Sequence, residues 1–148
     1  MATAKPAPRT CSVARTLEVV GEKWALLAIR EVFLGVRRFE EMLTNIGAPR
    51  DTLAARLRTL VEHGILERRQ YSDHPPRDEY VLSAAGRDLY PVILGLMQWG
   101  DRHRPVDGGP PMVLDHACGH RLEPRLDCAH CGEQIQARQI TRVTSARL

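Results

Sequence analysis

Two helical patterns separated by a tight turn, and followed at once by two strand patterns, constrain the fold of this chain most strongly. In residues 37–47, RRFEEMLTNIG, apolar side chains recur at helical spacing and Gly47 closes the helix. In residues 48–64, APRDTLAARLRTLVEHG, a second apolar stripe begins after a proline and ends at Gly64. ILERRQYS and RDEYVLS then read as strands joined by the turn SDHPPR, whose two prolines we expect to stop the ladder. This order is that of a winged helix-turn-helix.

Further helices are predicted on both sides of this unit. Val13, Leu17 and Val20 share one face of a first helix that Gly21 interrupts, and EKWALLAIREVFL forms a second helix. After the hairpin, AAGRDLYPVILGLMQWGDRH resumes helical spacing over residues 84–103. The predicted fold class is therefore α+β and mainly α. The predicted organisation is a flexible arm at 1–10, a winged helix-turn-helix domain at 11–103, a linker at 104–114 and a Cys/His-rich tail at 115–148.

Composition excludes several classes of protein. No run of eighteen apolar residues occurs and the N-terminus, MATAKPAPRT, has no apolar core, so we expect a cytoplasmic protein with no membrane partner. The net charge of +3 permits binding to nucleic acid without requiring it. The chain has neither a Gly-rich phosphate loop nor a nucleophile with a recognisable histidine partner motif, so no enzyme activity is predicted.

The second helix of the motif is the candidate recognition helix for double-stranded DNA. If Leu53, Leu57, Leu60 and Val61 face the core, small residues elsewhere on this helix let its backbone approach base edges. Its arginines can reach phosphate or guanine, and the hairpin offers further cations to the DNA backbone or minor groove. The predicted DNA-binding residues are Arg50, Thr52, Ala55, Arg56, Arg58, Thr59, Arg68, Arg69, His74 and Arg77. The alternative is a winged-helix module that binds proteins and not DNA.

Three stretches carry a family resemblance: CSVARTLEVVGEKWALLAIREVFLGVRRFEEML, PRDTLAARLRTLVEHGILERRQYSDHPPRDEYVLSAAGRDLYPVI and WGDRH. In this order and spacing they resemble the HxlR family of bacterial transcription regulators, which are MarR-like, from about Cys11 to His103. The resemblance implies a homodimeric repressor or activator on inverted-repeat operators, with the first helix and the long helix after the wing forming the dimer interface. One departure is Ala48, where the family pattern usually carries a helix-capping serine.

The residues themselves also favour a dimer. The helix predicted over 84–103 carries more apolar surface than one small hairpin can cover, although packing within one chain is the alternative. Dimeric winged helices often hold a small-molecule effector between the dimer helices and the DNA-binding lobe. No polar cluster in this sequence identifies such a ligand.

Cys11 is a candidate sensor of oxidants or electrophiles. It stands just before the first predicted helix, between Arg9 and Arg15, and a helix N-terminus and nearby cations both lower the pKa of a thiol. The family resemblance points the same way, because several members use a cysteine at this position as a redox sensor. The alternative is a cysteine that only packs at the start of a helix.

The tail predicts a structural zinc site. Cys128-Ala-His-Cys131-Gly132 has the form of a zinc knuckle, and Cys118-Gly119 repeats the end of that pattern. A redox dithiol would need a βαβ unit, and an iron–sulfur cluster would prefer four cysteines. The predicted metal ligands are His116, Cys118, Cys128 and Cys131, with His120 as the alternative to His116. A metal-free tail with idle thiols is the competing hypothesis.

Overall fold

The computed structural model of the chain describes residues 11–141, so the predicted arm at 1–10 lies outside the described residues. The elements are α1 (Ser12–Val20), α2 (Lys23–Phe33), α3 (Phe39–Ile46), α4 (Arg50–Glu62), β1 (Leu66–Asp73), β2 (Pro76–Leu82), α5 (Ala84–Arg87), α6 (Tyr90–His103) and a 3-10 turn (Ala137–Gln139). Helices with one two-stranded antiparallel sheet confirm the predicted winged helix-turn-helix class. No helix among the described residues is both long enough and apolar enough to cross a bilayer.

The core lies between α2, α3 and α4. Leu53, Leu57 and Leu60 of the predicted stripe are fully buried, and Val61 packs against them while half-buried. Ile29 of α2 and Met42 of α3 meet them from the other two helices and are also fully buried. Each such side chain stabilises the fold by about 1.5–3 kcal/mol relative to its exposed form. The apolar stripe therefore fixes which face of α4 remains outside.

Backbone contacts hold the motif and the wing, the β1–β2 hairpin, together. Gly47 ends α3 in the left-handed conformation at φ +68°, which a side chain would disfavour, and so makes the tight turn into α4. The N-cap of α4 is Pro49, which has no side-chain cap, in line with the capping serine that is missing at Ala48. The Tyr80 amide in β2 donates to the Arg37 carbonyl oxygen at 2.8 Å, which ties the wing to the start of the motif.

Two sequence predictions were wrong in detail. The hairpin ladder does not stop at both prolines: it continues to a pair between Asp73 and Pro76, with only His74 and Pro75 in the turn. Proline is tolerated as the first residue of a strand. The helix predicted over 84–103 is divided into α5 and α6, because the Pro91 ring clashes with the carbonyl group four residues earlier in any continuous helix.

The chain forms two compact units whose boundary lies between Ile93 and Leu94, within α6. The tail of the second unit contains two small loops. In the first tail loop, residues 114–122, Asp115 pairs with Arg121 across an isolated antiparallel bridge. In the second tail loop, residues 126–135, Asp127 pairs with Gln134 in the same way.

Candidate nucleic-acid interface and cysteine sites

Every DNA-binding residue predicted on α4 lies off its buried stripe. Arg50 and Arg58 are exposed, whereas Thr52, Ala55, Arg56 and Thr59 are half-buried. The Thr59 hydroxyl donates to the Ala55 carbonyl oxygen at 3.1 Å, so its proton is already used within the helix. This face of α4 therefore combines small side chains with two separated arginines, the composition that a helix needs to approach base edges.

Arg50 forms an ion pair with the Glu40 carboxylate across the turn between α3 and α4. Its guanidinium donates two hydrogen bonds of 2.7 Å to Glu40 and lies over the Phe39 ring, 5.3 Å from the ring centroid. The hydrogen bond from Arg50 holds the pKa of Glu40 below its usual range, and the same bond raises the pKa of Arg50. Glu40 was not predicted from the sequence pattern, and a phosphate at Arg50 has to compete with its carboxylate.

Arg56 and Arg58 are not engaged in this way. Neither forms an ion pair with any residue between positions 11 and 141. The Nε atom of Arg56 is buried and lacks a hydrogen-bond partner in this part of the chain. Buried polar atoms of this kind are uncommon in folded proteins. These two arginines are therefore the cations that α4 can offer to an anionic ligand.

The wing divides its cations into paired and unpaired groups. Arg68 lies 2.5 Å from Asp78 across the hairpin, and Arg69 lies 2.6 Å from Glu67 on its own strand. His74 and Arg77, at the tip, are exposed and have no ion-pair partner among the described residues. The tip of the wing therefore carries the cation that is free to meet phosphate.

A contact at the base of the wing was also not predicted from the sequence. The Arg38 guanidinium lies 4.8 Å from the centroid of the Tyr71 ring, at the point where the β1–β2 register shifts between Gln70 and Ser72. Such a cation–π contact joins the start of α3 to the wing. The register shift is not visible in the alternation of the sequence, so this contact had no local signal.

Two helices expose apolar stripes. Val13 and Leu17 are exposed on α1, with Leu17 at 53%. Val92, Leu96 and Trp99, spaced by one and two helical turns on α6, are also exposed, with Trp99 at 60%. Apolar stripes of this kind are typical of surfaces that a partner covers.

Cys11 is the N-cap residue of α1, exposed, and makes no side-chain hydrogen bond to the helix. Its position is thus the one that the sequence predicted. The first turn of α1 contains no acidic residue. A thiol placed there is open to reagents in solution.

The tail places its predicted metal ligands in two separate groups. Cys118 Sγ lies 3.8 Å from His120 Nδ1, and the Cys118 backbone amide donates to His116 Nδ1 at 3.3 Å. In the second tail loop, hydrogen bonds from the His130 and Cys131 amides lower the pKa of Cys128. Among residues 11–141, no three His, Cys, Asp or Glu side chains form a group that could hold a metal. The structure therefore places Cys118 beside the two histidines and Cys128 beside Cys131, but it does not bring the four predicted ligands together.

A family model described as HxlR-like helix-turn-helix matches residues 19–107. An uncharacterized HTH-type transcriptional regulator of Mycobacterium tuberculosis is 55% identical over 131 residues, which cover 88% of this chain and 83% of that protein. The matched region in this relative therefore extends beyond the winged helix. These proteins are transcriptional regulators and not enzymes, which confirms the prediction that this chain lacks enzyme activity.

Solved structures of regulators are also similar to this chain. PA1607, described as a candidate transcription factor, has a TM-score of 0.80 and 35% identity, covering 92% of this chain and 95% of PA1607. The redox regulator HypR is similar in its reduced form, with a TM-score of 0.58 and 32% identity over 64% of this chain and 94% of HypR. Its oxidized form gives a TM-score of 0.59 and 34% identity over 65% of this chain and 100% of HypR.

Proposed function

Because the chain belongs to the HxlR-like helix-turn-helix family of transcriptional regulators, we propose that it acts in the cytoplasm as a homodimeric repressor on an inverted-repeat operator. The observation that carries this proposal is α4, which is buried along one stripe and bears Arg56 and Arg58 beside it, neither with an ion-pair partner among residues 11–141. In the proposed complex, the two copies of α4 enter successive major grooves about 34 Å apart. Arg77 at the tip of each wing contacts flanking phosphates or the minor groove.

The test replaces Arg56 and Arg58 of α4, one at a time. Arg56→Ala or Arg58→Ala should weaken binding to DNA from the region upstream of the gene by about 1–3 kcal/mol if the residue reads a base. A phosphate contact instead gives a loss that is independent of sequence, with a salt slope smaller by about one. Electrophoretic mobility shifts over a series of salt concentrations separate the two cases.

Arg125→Ala is the matched control for net charge, because Arg125 is an exposed arginine in the tail, 3.6 Å from Asp127. It should leave operator affinity unchanged. If Arg56→Ala and Arg58→Ala also leave operator affinity unchanged, α4 is not the recognition helix. Wild-type protein that shifts no DNA at any salt concentration would favour the protein-binding module.

The homodimer is proposed from the apolar stripes of α1 and α6. A charge placed in either stripe should abolish the dimer, because an unpaired carboxylate cannot be buried at an interface without a large cost. Leu17→Asp and Leu96→Asp should therefore elute as monomers, as measured by light scattering coupled to size-exclusion chromatography. Leu126→Asp is the control, since Leu126 in the tail is even more exposed, at 68%. Variants that remain dimeric would place the interface elsewhere.

We also propose that Cys11 senses oxidants or electrophiles, which are then the effectors. Its exposure at the N-cap of α1 and the similarity to the redox regulator HypR support this proposal. Diamide removes two protons and two electrons from a pair of thiols, here the Cys11 thiols of the two subunits, and so forms a disulfide between them, whereas methylglyoxal adds to a single thiol. Either treatment should change the operator affinity of the wild type but not that of Cys11→Ser. An equal response in both proteins would exclude Cys11 as the sensor.

A further inference from the structure

The tail folds without an apolar core. None of the described residues from 95 to 141 is buried, and Val113, Leu126 and Ile140 are exposed although they are apolar. A segment of this size normally needs a disulfide, a metal ion or a partner to be stable. The four cysteines of the chain are all free thiols. The regular turns of the tail therefore require another source of stability.

The two tail loops are closed by similar pairs of backbone hydrogen bonds, although the first loop is one residue shorter. In the first, the His116 amide donates to the His120 carbonyl oxygen at 2.8 Å, and the Gly119 amide to the His116 carbonyl oxygen at 2.9 Å. In the second, the Cys128 amide donates to the Glu133 carbonyl oxygen at 2.9 Å, and the Gly132 amide to the Cys128 carbonyl oxygen at 2.7 Å. Each loop also has a cysteine directly before a glycine of positive φ. Two such loops, each with a pair of ligands, are the halves of a four-ligand zinc site.

The second tail loop supplies two thiols, Cys128 and Cys131, at the spacing of a zinc knuckle. Both are free thiols, Cys128 half-buried and Cys131 exposed. Neither is therefore enclosed in an apolar core that would keep a metal ion away. Cys128 and Cys131 thus form the pair of sulfur ligands that this loop can offer.

The first tail loop pairs Cys118 with His120. Their Sγ and Nδ1 atoms are 3.8 Å apart, and two such ligands of one tetrahedral zinc ion lie about 3.5 Å apart when Zn–S and Zn–N take their usual lengths. Nδ1 of His116 instead accepts the Cys118 backbone amide and so supports the turn. The spacing of the sequence placed His116 first, whereas these distances favour His120.

We propose that the tail binds one structural zinc ion through Cys118, His120, Cys128 and Cys131, and that this ion provides the stability that apolar burial does not. The two pairs stand apart among the described residues, so zinc binding has to draw the two tail loops together. Only the short segment 123–125 separates the loops along the chain. Metal binding in such a segment is coupled to its folding.

The first experiment measures zinc in the full chain, purified under reducing conditions without chelator. Mass spectrometry of the metal should find about one equivalent per chain in the wild type. Cys128→Ser, Cys131→Ser and His120→Ala should hold far less, whereas the controls Cys11→Ser and His116→Ala should hold as much as the wild type. Loss in His116→Ala with retention in His120→Ala would overturn the assignment of His120. A wild type with less than a tenth of an equivalent, even after incubation with zinc and desalting, would overturn the site.

A second measurement does not depend on variants that fail to fold. Cobalt(II) added to metal-free wild type should give the visible bands of tetrahedral cobalt and a near-ultraviolet band from thiolate ligands. Removal of zinc by a chelator should raise amide hydrogen exchange in residues 114–135, with the helical circular dichroism of the winged helix unchanged. Exchange in the tail that a chelator does not alter would overturn the stabilising role of the metal. Neither measurement involves DNA, so the proposed regulator function and the zinc site can fail separately.

Discussion

The winged-helix unit and the tail keep their shapes by different means. Apart from Leu94, every buried apolar residue of the described chain lies between Val20 and Val81. The tail also has hydrogen-bonded turns, yet its leucines and isoleucines stay in contact with water. Net stabilisation from one backbone hydrogen bond is only about 0.5–1.5 kcal/mol, which does not offset the entropy of ordering several residues.

The contrast shows what apolar periodicity can and cannot report. In the winged helix, one stripe of leucines determines the core and, by exclusion, the face of α4 that can meet DNA. In the tail, thiols and imidazoles take the positions that set the fold, and the apolar residues are secondary. Substitutions in the two regions test this contrast.

Removing a buried leucine from α4 should have the greatest effect. Leu57→Ala leaves a cavity in the fully buried core and should lower the free energy of unfolding by about 3–5 kcal/mol. Leu126→Ala in the exposed part of the tail should change it by no more than about 0.5 kcal/mol. Urea unfolding followed by circular dichroism measures both. A large loss from Leu126→Ala would show that the tail has an apolar core after all.

Ionic contacts should also contribute more to stability in the winged helix than in the tail, with smaller losses than removal of a buried leucine. Glu31 in α2 is 3% exposed, accepts hydrogen bonds from Arg30 and Asn45, and so joins α2 to α3. Glu31→Gln removes the charge that both donors need, and should cost about 1.5–3 kcal/mol. In the tail, Asp127→Asn breaks an exposed pair with Arg125 and should cost no more than about 0.5 kcal/mol.

Denaturation midpoints of the two variants, measured in the same buffer, give this comparison directly. High salt should reduce the effect at Asp127 more strongly than the effect at Glu31, because Glu31 is buried although its partner Arg30 is partly exposed. Equal losses in the two variants would mean that burial does not separate the two regions.

The sequence predicted those parts of the fold that depend on neighbours along the chain. The bounds of α3 and α4, the turn at Gly47 and the leucine stripe follow from a helical period and a few terminating residues. The break between α5 and α6 was missed although its cause, Pro91, is also local. A proline is tolerated in the first turn of a helix, which holds for Pro91 within α6 but not within one continuous helix over 84–103.

The sequence could not predict which cations are free. Arg50 meets Glu40 ten positions away across a turn, and Arg68 meets Asp78 across the hairpin. Both pairs depend on the tertiary arrangement and on strand register. The fourth metal ligand was undetermined for the same reason, because spacing alone places both His116 and His120 near Cys118.

The pair of Glu40 and Arg50 should give the smallest effect, because it belongs to the winged helix yet is as exposed as the tail. Arg50 lowers the pKa of Glu40 in the folded protein, so the pair stabilises the fold at pH values above the pKa of the unfolded carboxyl group. This contribution is lost as the pH falls through the folded pKa. The stability difference between the wild type and Glu40→Gln should therefore be present at neutral pH and vanish in acid.

Urea unfolding at a series of pH values measures that difference, and salt should diminish it because the pair is fully open to solvent. Glu62→Gln is the matched control, since Glu62 is an exposed carboxylate of α4 with no ion pair among the residues that the structure describes. A difference for Glu40→Gln that stays constant from neutral to acid pH would show that the side chain acts by packing and not by charge. The turn between α3 and α4 would then be held by Gly47, the leucine core and the packing of the Glu40 side chain, since the ionic attraction to Arg50 would contribute nothing.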